Sequence, residues 1–289
     1  MSFNFGDKSY MKIFRRLVLG LALVILSPLG WGDNAMIETI PLSIYIDGVS
    51  FAFVVVSCGI IAATSHLSGS TNAFAVLRDI GIPVGLLGSL AGAVGISLNL
   101  AEYAQVYSYT ALMLITALYG GIVSGIGVFV AGQDLTENLI PRSPKAIYCA
   151  TCVMLAVFIW TMDSAAGLGR FVSPILIGIF TAVFTLALAT RKKTLTATIA
   201  DAAFFSSMLC VIVGLIARFY DYVQLGIKIS MAGLVIGLLL YISALCVSYG
   251  VGEQAEINGQ RQNWHWLELA GFLIFMYFAP ETLREVLSA

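Results

Sequence analysis

This chain has very little charge. Only 11% of its 289 residues are Asp, Glu, Lys or Arg, against roughly 25% in a soluble domain, and the net charge is -1. That scarcity excludes an ordinary soluble domain and leaves no basic surface for nucleic acid. Strand-like alternation is missing too, which excludes an outer-membrane barrel. The 59% of hydrophobic residues and the mean hydropathy of +0.94 predict an all-α, polytopic membrane helix bundle surrounded by lipid bilayer.

The cysteines and histidines do not form a metal or redox motif. Cys149 and Cys152 have the spacing of such a motif, but no second pair accompanies them, and His66 and His265 lie far away in sequence. We interpret the five cysteines as small packing residues in apolar runs. Because no acid/base pair, partnered nucleophile or phosphate-binding loop is visible, we expect no enzyme activity, no catalytic residue, no cofactor and no bound metal.

Long apolar runs predict about eight principal spans. They cover residues 17–31, 40–65, 81–100, 107–131, 146–162, 171–190, 202–220 and 227–249. A ninth run, 266–279, is short for a crossing, and an interfacial helix is an equal alternative. Residues 12–31 also have the layout of a secretory signal peptide, but no clean cleavage site follows, so we favour a retained first span.

Lysine and arginine set the orientation of these spans. If the spans alternate, most basic residues fall on one side, including the triplet 191–193, whereas Arg170, Arg218 and Lys228 fall on the other. The positive-inside rule then puts the N-terminus in the cytoplasm. We expect a multi-pass protein of the bacterial inner membrane.

The two halves of the chain resemble each other. A gapless shift of 122 positions superposes the third and fourth spans on the seventh and eighth. It pairs Asp79 with Asp201, Leu87 with Leu209, Gly92 with Gly214, Ser108 with Ser230, Leu118 with Leu240, and Tyr119 with Tyr241. Four spans per unit predict a parallel repeat, and chance similarity between apolar helices is the alternative.

This repeat divides the chain into four parts. We expect a four-span unit at 1–132, a cytoplasmic joint at 133–145, a second, degenerate four-span unit at 146–250, and a cytoplasmic segment with a short apolar helix at 251–289. The second unit is degenerate because Val211 and Leu238 stand opposite Ser89 and Thr116 of the first. We therefore assign it no ion path.

Small residues and hydroxyls recur in the third and fourth spans. Two small-xxx-small pairs, Gly88 with Gly92 and Gly121 with Gly125, let helices approach closely, and ordinary bundle packing is the alternative reading. Ser89 and Thr116 would lie at similar depth on neighbouring helices, which suits a thin hydrated ion path. A lone membrane hydroxyl can instead bond a carbonyl of its own helix. Since the second to eighth spans have no acid at the bilayer centre, a proton-carrying carboxylate would come from another chain.

Three segments carry motif residues of a known family. Through Thr116, Tyr119 and Gly120, segment 111–129 resembles the last-span signature of the MotA/TolQ/ExbB proton-channel family. Segment 82–98 is similar to the preceding family span through Pro83, Gly85, Gly88 and Ser89. Segment 45–64 looks like the second span of the flagellar stator branch through Ile46, Asp47, Ser50 and Gly59. The chain is therefore identified as a member of this family by resemblance.

The resemblance implies an ion-driven, proton-linked energy-coupling or stator complex. A homo-oligomeric ring of these subunits would surround a single-span partner of the MotB/ExbD/TolR kind, which supplies a membrane aspartate. Ser89 and Thr116 would line the ion path, and Pro83 would bend or start its helix. Helix packing and the partner groove would involve Pro83, Gly85, Gly88, Gly92, Tyr119, Gly120, Gly121 and Gly125.

Two other functions stay open. One is a non-conducting membrane scaffold of a secretion or conjugation apparatus. The other is a small-solute permease with parallel repeats, although the only sign of an interrupted span is Pro174.

Overall fold

A computed structural model of the chain describes residues 47–69, 72–98, 103–131, 143–166, 172–219, 223–253 and 265–266. These residues contain no strand and form seven helices longer than one turn. The helices are α1 (Gly48–Leu67), α2 (Ala73–Leu98), α3 (Tyr103–Ala131), α4 (Pro144–Ala166), α5 (Pro174–Ala189), α6 (Leu195–Phe219) and α7 (Val223–Val251). The all-helical class is confirmed for this part of the chain.

Six of the helices are long and apolar enough to cross a membrane, and α5, with 16 residues, is shorter. The chain is therefore a multi-pass membrane helix bundle by length and composition. The count of eight spans stays a prediction, because the first span (17–31) and nearly all of the ninth run lie outside the described residues. Most of the joint predicted at 133–145 also lies outside the described residues.

Capping residues explain where two of the helices begin. Asp47 precedes α1, and its carboxylate accepts a hydrogen bond from the Ser50 amide at 2.7 Å. Ser173 precedes α5 and accepts from the Leu176 amide at 3.3 Å. Pro174 follows as the first helical residue, where its missing N–H costs nothing. Pro174 therefore begins a helix and does not interrupt one.

Pro83 lies ten residues inside α2, so it does not start its helix as the resemblance allowed. Proline cannot donate to the carbonyl four residues earlier, which here belongs to Asp79. A second departure from regular geometry occurs in α1, where residues Ala52–Val56 form a π-helical turn. Such turns are rare and occur frequently at functional sites.

The centre of the bundle is formed by α2 and α7. In their apolar stretches 72% and 78% of the residues are buried, against 22% in α4. The closest pairs are the hairpins α2–α3 and α6–α7, and α2 also contacts α7 directly. On the outside, α1 packs on α2, α4 on α7, and α5 on α6.

Glycines allow α2 and α3 to approach within backbone contact. A Cβ added at Gly85 would stand 2.7 Å from the Gly120 Cα, and one added at Gly92 would stand 2.8 Å from the Tyr109 carbonyl oxygen. A Cβ at Gly88 would overlap the methyl group of Thr116. These distances leave no room for a side chain, which explains three of the glycines in this span.

Polar contacts join several of the described helices at one end of the bundle. Here the start of α2 meets the ends of α3 and α7, and Thr196 at the start of α6 donates to Glu253 at 2.7 Å. The exposed triplet 191–193 lies at the same end, between α5 and α6. The distribution of lysine and arginine predicts that this end faces the cytoplasm. We call it the polar end.

Candidate functional site at the contact of α1, α2 and α3

Ser89, predicted to line an ion path, is buried between α2 and α3 and is only 6% exposed. Its hydroxyl lies 3.0 Å from the Gly85 carbonyl of its own helix and 2.8 Å from the Met113 carbonyl of α3. A hydroxyl has one proton to donate, and both carbonyls can accept it. A hydrogen bond from this hydroxyl to the Met113 carbonyl therefore connects α2 with α3.

Thr116, the second predicted path residue, is 1% exposed. Its Oγ1 lies 2.6 Å from the Leu112 carbonyl of its own helix and 3.1 Å from the Ser50 hydroxyl of α1. Its methyl group packs against Gly88 of α2. Thr116 thus stands where three helices meet.

The structure brings the two predicted hydroxyls to the same level of one helix contact. Gly88 touches Thr116 and directly precedes Ser89 in α2. The prediction of similar depth on neighbouring helices therefore agrees with the geometry. Both hydroxyls are nevertheless enclosed by their own protomer, and each has a carbonyl acceptor within hydrogen-bond distance.

A polar cluster joins the start of α1 to the middle of α3. The Asp47 amide donates to the Tyr119 hydroxyl at 3.2 Å, and the Asp47 carboxylate accepts from the Ser50 amide. Ser50 is buried, and its hydroxyl faces Thr116. The ring of Phe51 meets that of Tyr119 edge to face, with centroids 5.6 Å apart. We call Asp47, Ser50, Thr116 and Tyr119 the acidic cluster.

Sequence reasoning assigned no role to Asp47 or Ser50. Both lie in the segment that resembles the stator branch, and that resemblance was the only available signal. The contacts of Ser50 with Thr116 and of Asp47 with Tyr119 depend on how α1 packs against α3, which the apolar pattern of α1 does not determine.

The face of α3 that points away from α1 and α2 has no partner within the described chain. Leu114, Leu118 and Ile122 are exposed along this face. A Cβ added at Gly121 or Gly125 would meet no atom within 4 Å. The structure therefore separates the predicted packing residues, because Gly85, Gly88, Gly92 and Gly120 lie in the contact of α2 with α3, whereas Gly121 and Gly125 do not. We call Leu114, Leu118, Gly121, Ile122 and Gly125 the open face of α3.

A second charged cluster lies at the polar end, in the centre of the bundle. The Arg78 Nε donates to the Asp79 carboxylate at 2.7 Å, and the Tyr249 hydroxyl donates to the same group at 3.0 Å. All three side chains are buried. The Ser124 hydroxyl donates to the Arg78 carbonyl at 2.7 Å. Sequence reasoning did not find this connection between α2 and α7.

The cysteine prediction needs a correction. Cys58, Cys210 and Cys246 are buried, as packing residues should be, but Cys149 and Cys152 are exposed on α4. They face outwards because α4 buries little of its surface. Among the described residues, no group of three or more His, Cys, Asp or Glu side chains could hold a metal ion.

No family model, curated protein or solved structure matches the chain. The resemblance to the MotA/TolQ/ExbB family therefore rests on the motif residues alone and stays a prediction.

Proposed function

We propose that the protein is a MotA/TolQ/ExbB-like subunit of an inner-membrane complex and that it holds the transmembrane helix of a partner. The observation that carries this proposal is the asymmetry of α3. One side of the helix is closed against α2 through Gly85 and Gly120, while the open face has two glycines with free space around them. Small residues on an exposed membrane helix face allow a second helix to approach closely.

Copies of the chain would assemble around the single-span partner, as the resemblance implies. The burial of Ser89 and Thr116 favours the holding role over a continuous ion path, because their hydroxyls stabilise the protomer itself. The same burial supports the alternative of a non-conducting scaffold in a secretion or conjugation apparatus. A scaffold would have several stable partners, whereas a stator-like subunit would have one single-span partner.

Purification of the intact complex in mild detergent, followed by native mass spectrometry, tests the holding role. We expect more than one copy of this chain together with a single-span protein. We expect Gly121→Ile to remove that protein, because the new side chain fills the space that a partner helix needs. Gly178→Ile on α5 is the matched control, since Gly178 also has no atom within 4 Å of an added Cβ. A wild-type chain that purifies as a monomer would contradict the proposal.

Ion conduction remains a second candidate because Ser50, Ser89 and Thr116 lie at one level of one helix contact. Thr116→Val tests it, because valine keeps the methyl group against Gly88 and removes the hydroxyl. Under the holding role, we expect the same proton flux in vesicles that contain the wild-type complex or the Thr116→Val complex. A loss of flux with Thr116→Val that is absent with Thr116→Ser would establish the conducting role instead.

A further inference from the structure

A short turn, residues 190–194, joins α5 to α6 at the polar end of the bundle. α5 ends at Ala189, and α6 begins at Leu195. The three basic residues 191–193 of this turn are all exposed. They form an accessible cationic surface, which we call the basic turn.

The helices on either side determine the level of the basic turn in the bilayer. α5 has 16 residues and spans about 24 Å, which is less than the ~30 Å of the hydrocarbon core. The apolar stretch of α6, Leu195–Ala217, measures about 35 Å and is long enough to cross that core. Because a helix as short as α5 keeps its flanking residues at the interface, the basic turn lies where hydrocarbon gives way to lipid headgroups.

Exposed leucines come directly before and after the basic turn. Leu186 is 65% exposed, and Leu188 and Leu195 are exposed as well. Arginine and lysine have long side chains that reach from such an apolar surface to the phosphate level. The surface therefore combines an apolar part with a cationic part, as the binding of an anionic phospholipid requires.

Two acids lie near the basic turn, but they do not neutralise all of it. Asp201 accepts from Lys193 at 2.8 Å, and Glu253 accepts a hydrogen bond from the first turn of α6. Among the described residues, neither of the two ion pairs includes Arg191 or Lys192. The positive end of the α6 dipole lies beside the same turn. Two cations thus remain for an anion at the surface.

We propose that Arg191 and Lys192 bind the phosphate of an anionic phospholipid whose acyl chains pack on the exposed leucines. Each lysine or arginine near a membrane surface strengthens the attraction to anionic lipid. The interfacial level of the turn and the adjoining leucines favour a lipid over a soluble phosphate. α5 has one buried residue, Leu176, so a bound lipid would add to the few contacts that hold this helix. α5 is not part of the open face of α3, and lipid binding here does not depend on the holding role.

Native mass spectrometry of the full-length protein in detergent measures this binding. The protein is titrated with phosphatidylglycerol, which is anionic, and with phosphatidylcholine, which has no net charge. We expect the first phosphatidylglycerol to bind more tightly than the first phosphatidylcholine. Arg191→Gln and Lys192→Gln should each weaken phosphatidylglycerol binding about fivefold and leave phosphatidylcholine binding unchanged.

Two further variants distinguish a local site from general attraction to the protein. Lys145→Gln removes one exposed cation from the start of α4, which lies near the end of α7 at the same end of the bundle. It should leave phosphatidylglycerol binding unchanged. Asp201→Asn releases Lys193 from its ion pair and should tighten the binding. Exposed ion pairs contribute little to stability, so Asp201→Asn should keep the fold, which circular dichroism checks.

Three outcomes would overturn the inference. Equal weakening by Lys145→Gln and Arg191→Gln would show general attraction and no local site. Equal affinity for the two lipids would remove the role of the headgroup charge. Inorganic phosphate that displaces phosphatidylglycerol, and that binds more weakly to Arg191→Gln, would assign the basic turn to a soluble phosphate. The complex purified from cells tests the holding role separately from all three.

Discussion

A serine in a membrane helix can donate its proton to a carbonyl of its own helix or to one on a neighbour. Ser89 lies near both kinds, and Ser207 of α6 repeats the arrangement, with the Ala203 and Gly233 carbonyls each 2.9 Å away. Interhelical hydrogen bonds of this type stabilise membrane proteins by about 0.6 kcal/mol on average. The hydroxyl that suggested an ion path is thus also explained by hairpin packing, and composition cannot distinguish these two roles.

Asp79 differs from these hydroxyls because its charge is buried. We predict that Tyr249→Phe lowers the free energy of unfolding in detergent by about 1.5–3 kcal/mol, because the buried carboxylate loses one of its donors without a change in packing volume. Denaturation followed by circular dichroism measures the effect. Tyr148→Phe is the control at the same end of the bundle, since the described residues provide no hydrogen-bond partner for the Tyr148 hydroxyl. Equal stability of Tyr249→Phe and the wild type would contradict the prediction.

At the scale of the element, the two hairpins use the same means of close approach. Gly92 of α2 faces the Tyr109 carbonyl of α3, and Gly214 of α6 faces Ser230 and the carbonyl of Gly226 on α7. Gly92 and Gly214 are also partners under the shift of 122 positions. The matching position of this one glycine contact in the two hairpins supports the proposed repeat.

Adjacent glycines of α3 separate packing within the protomer from the open face. We predict that Gly120→Ala destabilises the protein by about 1–3 kcal/mol, because its Cβ would stand 2.6 Å from the Gly85 Cα. Gly121→Ala should be neutral or stabilising by up to about 1 kcal/mol, since alanine favours the helix and meets no atom within 4 Å. Chemical unfolding of the two variants in the same detergent measures the difference. Equal effects would show that the contact of α2 with α3 tolerates a methyl group.

At the scale of the whole molecule, the two halves have different environments. The shift of 122 positions equates α2 with α6 and α3 with α7. The buried fractions of their apolar stretches are 72% against 44% for the first pair, and 33% against 78% for the second. The central helices α2 and α7 are thus not equivalent under the shift. The parallel repeat stays a prediction. If a gene duplication produced the two halves, the matched helices have since come to be buried to different extents in the bundle.

The sequence by itself determined that the described part of the chain is helical and where its six membrane-length helices lie to within several residues. These properties depend on hydrophobic length, which is local. Only the tertiary structure decided that Ser50 meets Thr116, that Tyr249 reaches Asp79, and that Gly121 faces outwards. Helices this apolar on all sides carry no periodic signal for their rotation or vertical offset, so both are set by the packing of neighbouring helices.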